Sequence, residues 1–151
     1  MIIQRSTVDD AEEILALQKV AYLSEAKLYG DESIPPLTQT LSELRESYSR
    51  KTVLKAVEAD RIVGSVNGRM SKGRCLIGRL MVHPEMQGRG VGTALMAAIE
   101  AEFPQAEVFR LFTGELSVRN IQLYERLGYQ IYEWKEIPGS FGIVFMEKIG
   151  R

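Results

Sequence analysis

The chain has 151 residues, is 45% hydrophobic and 26% charged, and carries a net charge of −1. A chain this long buries roughly 70% of its unfolded surface, so a single domain over 1–151 needs no disulfide or metal to fold. The near-neutral charge argues against a sequence-independent grip on nucleic acid, which needs a basic excess, although a local basic pocket stays open. With Cys75 as the one cysteine and His83 as the one histidine, an intrachain disulfide and the usual zinc sites are excluded. MIIQRSTVDD has no long apolar segment and no run approaches a membrane span, so the chain reads as soluble and cytoplasmic, without a membrane partner.

Met1–Arg5 reads as a short strand. Ser6 or Thr7 caps the helix that follows, whose first turns carry Asp9, Asp10, Glu12 and Glu13 at the positive end of the helix dipole. Ile14, Leu17 and Ala21 form its apolar stripe, and the pattern fades around Lys27 to Gly30. GDESIPPL reads as a loop, and Leu41–Ser49 as a second, short helix. Thr52–Glu58 and Arg61–Ser71 are strands joined by Ala59-Asp60, with Gly64 and Gly68 weakening the second. After the Ser71-Lys72-Gly73 turn, Cys75–Val82 is a nearly continuous apolar run, interrupted by Gly78 and Arg79, as in a central strand covered on both faces. Pro84 stops it. Gly90 to Phe103 is helical by Val91, Leu95 and Ile99; Glu107–Thr113 alternates as a strand. Ser117 looks like an N-cap for Val118–Leu127, which Gly128 ends as the left-handed residue. Tyr129–Glu136 and Phe141–Lys148 are two strands about the Ile137-Pro138-Gly139-Ser140 turn. The order is that of a mixed α/β fold with a strand–loop–helix unit at its centre.

That unit contains MVHPEMQGRGVGTALM, with Gly88, Gly90 and Gly92 inside five residues. The first four N–H groups of a helix lack partners within it and carry partial positive charge. A glycine-rich entry lets a phosphate come close to them, and Arg89 adds a fixed charge. Gln87–Thr93 therefore reads as a phosphate or pyrophosphate cradle, against the plainer reading of a tight turn, for which one or two glycines suffice. No Lys-Ser or Lys-Thr closes a P-loop here, and Gly92 falls one residue too early for the dinucleotide fingerprint.

Leu80-x-Val82-x-Pro84 followed by Gln87-x-x-Gly90-x-Gly92 resembles the acetyl-CoA signature of the GNAT superfamily of N-acetyltransferases. Asn120-x-x-x-Tyr124 followed by Leu127-Gly128-Tyr129 is similar to that superfamily's late helix and strand. The resemblance implies a mostly antiparallel sheet of six to seven strands, with a splayed central pair and about four flanking helices. It implies acetyl-CoA as cosubstrate and no metal. Backbone groups of Met81 and Val82 would then pair with pantetheine amides as an added strand does. The N–H groups of Arg89, Gly90, Val91, Gly92 and Thr93, with Gln87 and Gly88 in the same loop, would hold the pyrophosphate.

The implied chemistry is acyl transfer from a thioester to a neutral amine by direct attack. By resemblance Tyr124 is the general acid at the leaving thiolate, Asn120 contacts the cofactor, and the backbone N–H of Val82 serves the oxyanion. A core aromatic and an exposed first-turn polar residue are the plainer accounts of these two side chains. Many members carry a glutamate on the strand equivalent to Cys75–Val82, whereas this chain reads Leu76-Ile77-Gly78-Arg79-Leu80-Met81. Glu115, just past the next strand, is the nearest replacement by topology, with Glu25 and Glu46 on the acceptor side. His83 has a suitable ordinary pKa but sits in the turn toward Pro84. Cys75 reads as a buried small residue rather than a nucleophile. Arg79 fits either a packed ion pair or an acceptor contact.

In this architecture the first two helices and their connection wall the amine site. Tyr22, Glu25, Tyr29, Asp31 and Glu32 would make a mildly acidic, aromatic wall suited to a cationic amine; a solvated loop is the bland account. A small amine, a peptide N-terminus and a lysine side chain are all open as acceptors. Dimerisation is common in the superfamily, and the C-terminal strands offer an edge for a homodimer. A non-catalytic acyl-CoA sensor on the same fold and a different phosphate-ligand binder are the rival functions.

Overall fold

The computed structural model describes residues 1–150. Seven strands form one sheet: β1 (Ile2–Arg5), β2 (Thr52–Glu58), β3 (Arg61–Ser71), β4 (Arg74–Val82), β5 (Val108–Gly114), β6 (Gln130–Lys135) and β7 (Ile143–Ile149), in the order β1-β2-β3-β4-β5-β7-β6. Every neighbouring pair is antiparallel except β4 and β5. The β2–β3 hairpin turns on Ala59 and Asp60, both at positive φ, and β3–β4 turns on Lys72 and Gly73, also at positive φ. These are the left-handed pairs that match the twist of a two-residue hairpin.

The β4–β5 pairing is short. Arg74 faces Val108, Cys75 faces Phe109 and Leu76 faces Arg110, and there it stops, although β4 continues to Val82 and β5 to Gly114. The two strands part at the middle of the sheet, leaving one edge of β4 without a strand partner.

Helices cover both faces. α5 (Val91–Ala101) packs Val91, Leu95, Met96 and Ile99 into the main core cluster, together with Leu54, Val66, Cys75, Phe109 and Met146. Gly64 and Gly68 let it approach. A Cβ at Gly64 would stand 2.9 Å from Leu95 Cδ1, and one at Gly68 would stand 3.2 Å from Ile99 Cγ1. The glycines that weaken β3 as a strand are thus the seats of a helix. α6 (Val118–Arg126) adds Tyr124 to the same cluster. A second cluster joins Ile14 and Leu17 of α1 (Ala11–Ala21) and Leu44 of α4 (Leu41–Ser47) to Val53, Ile62 and Met81.

The first helical region differs from the sequence reading. It breaks at Tyr22 (φ −90°, ψ 0°) into α1 and α2 (Leu23–Tyr29), which Gly30 ends in the left-handed region. The GDESIPPL loop contains the start of a one-turn helix, α3 (Pro35–Thr38), with proline at its opening positions, where a missing N–H costs nothing. Six α-helical segments replace the four expected. The buried Gln18 amide donates to Pro36 O (2.9 Å) and Gln39 Oε1 (2.8 Å), tying α3 to α1. No helix of the described residues is long and apolar enough to cross a membrane.

Candidate active site

The parting of β4 from β5 opens a cleft of about 290 Å³. Its floor is the end of β4: Leu80, Met81 and Val82. One wall is the loop and first turn of α5, through Gln87, Gly88, Gly90, Val91, Gly92 and Thr93. Arg89, expected in the same cradle, is exposed and lies outside the lining. The opposite wall is α6, with Asn120 and Leu123 flanked by Arg119 and Arg126. Ala21, Tyr22, Ser24 and Glu25 close the end where α1 meets α2.

The glycines do separate jobs. Gly88 (φ +78°) and Gly90 (φ +81°) sit in the left-handed region with open space where a Cβ would go, so backbone conformation selects them there. Gly92 has helical geometry, and a Cβ on it would lie 3.4 Å from Leu123 Cδ2 and 3.8 Å from Val82 Cγ2. Gly90 caps α5 without any side-chain hydrogen bond. The first N–H groups of α5 are therefore left to the cleft, with the positive end of the helix dipole behind them.

On the far side the construction is by side chains. Glu25 accepts from Ser117 Oγ (2.7 Å) and from Asn120 Nδ2 (3.4 Å). The Tyr29 hydroxyl lies 2.7 Å from Ser117 Oγ and accepts from Leu116 N–H at 3.0 Å. Tyr22 donates from its hydroxyl to Leu80 O at 3.0 Å. Burial lifts the Tyr22 phenol to about 12, against a downward pull from Arg79. Arg79 itself sits at φ 52°, at an irregularity where Ser65 still faces Met81 but Asn67 faces Gly78.

Tyr124 is buried beneath the α6 wall, its ring 6.0 Å from that of Tyr129, and is not among the lining residues. Its hydroxyl makes no hydrogen bond among the described residues. Burial raises its pKa, with Tyr22 and Glu25 acting in the same direction, so the phenol holds its proton. Glu115 lies outside the cleft: its carboxylate accepts from Gly142 N–H at the entry to β7, and Glu115 N–H donates to Gly142 O at 2.9 Å. Glu46 is engaged by Arg50 at 2.7 Å, also outside it. His83 accepts from Glu85 N–H through Nδ1 at 3.1 Å, in the turn where it was expected. Cys75 is fully buried, and burial pushes its thiol up to about 12. The carboxylate the fold brings to the cleft is Glu25. Arg119, Arg126 and Ser24 also line it, and the sequence reading named none of these three; Arg119 and Arg126 bracket the Asn120–Tyr124 block, a signal that could have found them.

The family model described as the acetyltransferase (GNAT) domain matches residues 49–131, which span the strands, loop and helix of the cleft. The UPF0157 protein YqkA of Bacillus subtilis is 27% identical over 128 residues, 85% of this chain, and the chain spans 37% of that protein's length. Two crystal structures share the fold. The ribosomal-protein-S18-alanine N-acetyltransferase of Escherichia coli superposes with a TM-score of 0.81 at 14% identity, covering 98% of this chain and 92% of that one. The PaiA N-acetyltransferase of Thermoplasma acidophilum, in complex with coenzyme A, gives 0.75 at 18% identity, covering 99% of each. A domain match over more than half of the chain, on a sheet that parts beside a glycine-capped helix, makes this chain a member of the GNAT acetyltransferase family.

Proposed function

We infer that the chain is an acetyl-CoA-dependent N-acetyltransferase acting on a primary amine. The observation that carries the reading is the cleft itself: an unpaired β4 edge meets the N-terminus of α5, which no side chain caps, in one space of about 290 Å³. The lining residues fit acetyl-CoA, since an anionic pyrophosphate suits free N–H groups and an amide chain suits an open strand edge. Acetyl-CoA supplies a thioester activated toward an amine.

The chain's own residues then divide the work. The N–H groups from Gly90 to Thr93 hold the phosphates, with Arg89 at the rim, while Met81 and Val82 bind through their backbone. Glu25, at the other end of the cleft, accepts the proton that the amine gives up; Ser117 and Asn120 fix its orientation. Glu25 takes this role in place of Glu115, whose carboxylate is occupied by Gly142. Tyr124 donates its retained proton, or a hydrogen bond, toward the leaving sulfur. Asn120 contributes by positioning, one helical turn from Tyr124.

The test is CoASH release from acetyl-CoA against polyamines, aminoglycosides, amino acids, N-terminal peptides and lysine peptides, beside calorimetry with acetyl-CoA. Saturable release with one class establishes the activity. Binding without release from any amine favours an acyl-CoA sensor, and no binding at all removes the cofactor assignment.

A further inference from the structure

Arg79, which directly precedes the cleft-lining Leu80, belongs to a group of three cations, with the half-buried Lys51 and the exposed Arg69, that lack a counter-charge. The β2–β3 pairing ends with Thr52 facing Gly68, and Lys51 and Arg69 are the residues that adjoin that pair, one just before β2 and the other within β3. The period of two places Arg69 on the face of Asn67, which is paired with Val53 of the cluster that holds Met81 and α1, and the fields of Arg69 and Arg79 both reach the Lys51 ammonium. Arg79 joins them from the β4 irregularity, close enough for its field to act on both Lys51 and the Tyr22 phenol. Like charges held this close repel. Among the described residues none of the three makes an ion pair or side-chain hydrogen bond.

The neighbouring acids are committed elsewhere. Glu46 pairs with Arg50, Asp10 with Lys55, and Glu147 with Arg110, which stands opposite Leu76 on the next strand. Glu43 closes the Thr40 capping box, and Glu25 holds Ser117 and Asn120. Burial pushes the Lys51 ammonium below its ordinary value, and Arg79, Arg50 and Arg69 push the same way.

We propose that Lys51, Arg69 and Arg79 form the anion subsite of the acceptor, which is a small amine carrying a carboxylate or a phosphate a few bonds from its nitrogen. The proposal rests on the N-acetyltransferase reading. The short spacing follows from the chain: Arg79 precedes Leu80, which lines the cleft and accepts the Tyr22 hydroxyl. The Tyr22 phenol feels both Glu25 and Arg79, so an amine at Glu25 with an anion a few bonds away would span Tyr22 toward Arg79. Two guanidinium forks and an ammonium suit carboxylate or phosphate oxygens, and a bound anion relieves their mutual repulsion.

Matched acceptors test this directly: an α-amino acid against its decarboxylated amine, and phosphoethanolamine against ethanolamine. The anion-bearing member of a pair is expected to win by about ten-fold or more in kcat/KM, the size of one charge-assisted hydrogen bond. The pair that responds tells carboxylate from phosphate. Lys51→Gln and Arg69→Gln should each erode the preference through KM, with kcat and acetyl-CoA affinity unchanged. Equal or faster turnover of the anion-free members overturns the subsite and leaves the acetyltransferase reading standing; failure to bind acetyl-CoA removes both. If acetyl-CoA binds and no panel amine is turned over, succinate and inorganic phosphate are titrated into the CoA-saturated protein. Binding that Lys51→Gln abolishes supports the subsite, and no binding overturns it.

Discussion

The two walls of the cleft are built from different material. The α5 wall is main chain: glycines at positive φ and free N–H groups, with few side chains in the way. The α2–α6 wall is a side-chain network in which Tyr29, Ser117, Glu25 and Asn120 join segments about 90 residues apart. A backbone cradle recognises what every acetyl-CoA has in common. A side-chain wall can be rewritten residue by residue without disturbing the main-chain one, so the two can be probed separately.

The sharpest way to break this division is to put charge into the cradle. Gly92→Glu needs no forbidden backbone, because its Cβ would meet ordinary van der Waals contacts only. Its carboxylate would occupy the space in front of the α5 N–H groups and repel a phosphate. Acetyl-CoA affinity is expected to fall by about 100-fold, or roughly 2.7 kcal/mol, with little change in Tm. Gly90→Glu is a poorer probe, since φ +81° would add backbone strain to the charge effect. Unchanged affinity by calorimetry for Gly92→Glu would show that the phosphates sit elsewhere.

Tyr124→Phe tests the seam between the walls. The hydroxyl makes no hydrogen bond among the described residues, so its loss should leave Tm nearly unchanged. General-acid contributions run to about 10²-fold or more, and kcat is expected to fall by about that factor at constant acetyl-CoA affinity. A fall in Tm with normal turnover would make Tyr124 a core aromatic. Because burial raises this phenol and sets Tyr22 at about 12, neither should produce a basic limb in the rate profile below pH 10.

The contrast also explains what could be read in advance. The glycine-rich turn into α5 was legible because its requirement is local: glycine where φ is positive and helix-forming residues directly after. The strands were legible for the same reason, and Thr52–Glu58 and Arg61–Ser71 have the bounds their patterns predicted. The break at Tyr22 was not, since no proline or glycine marks it and the Tyr22 hydroxyl reaches Leu80 O, 58 residues away. Pro35-Pro36 signalled α3, but in a Gly- and Ser-containing stretch the pair read as loop. Glu115 looked like the nearest base by topology because sequence does not reveal that Gly142 N–H takes its carboxylate.

Within the α2–α6 wall the expected effect is smaller. Ser117→Ala removes a donor to Glu25 and the partner of the Tyr29 hydroxyl in a buried position. It should cost about 1–2 kcal/mol, read as a Tm loss of roughly 2–8 °C for a chain of this size. Acceptor KM should rise while acetyl-CoA affinity holds; a loss of cofactor affinity instead would mean that the two walls are not separable.

The smallest effect belongs to Cys75, at the start of β4 and inside the core that both walls share. Burial disfavours the thiolate, and the thiol is pushed up to about 12, so at pH 8 to 9 it stays neutral in the folded chain. A thiol reagent should label native protein only as fast as it unfolds, and label one equivalent at once in denaturant. Labelling rates that follow global unfolding would place Cys75 among the packing residues. Fast native labelling with loss of activity would instead reopen a covalent route through Cys75, and with it the assignment of the chemistry to direct attack by the amine.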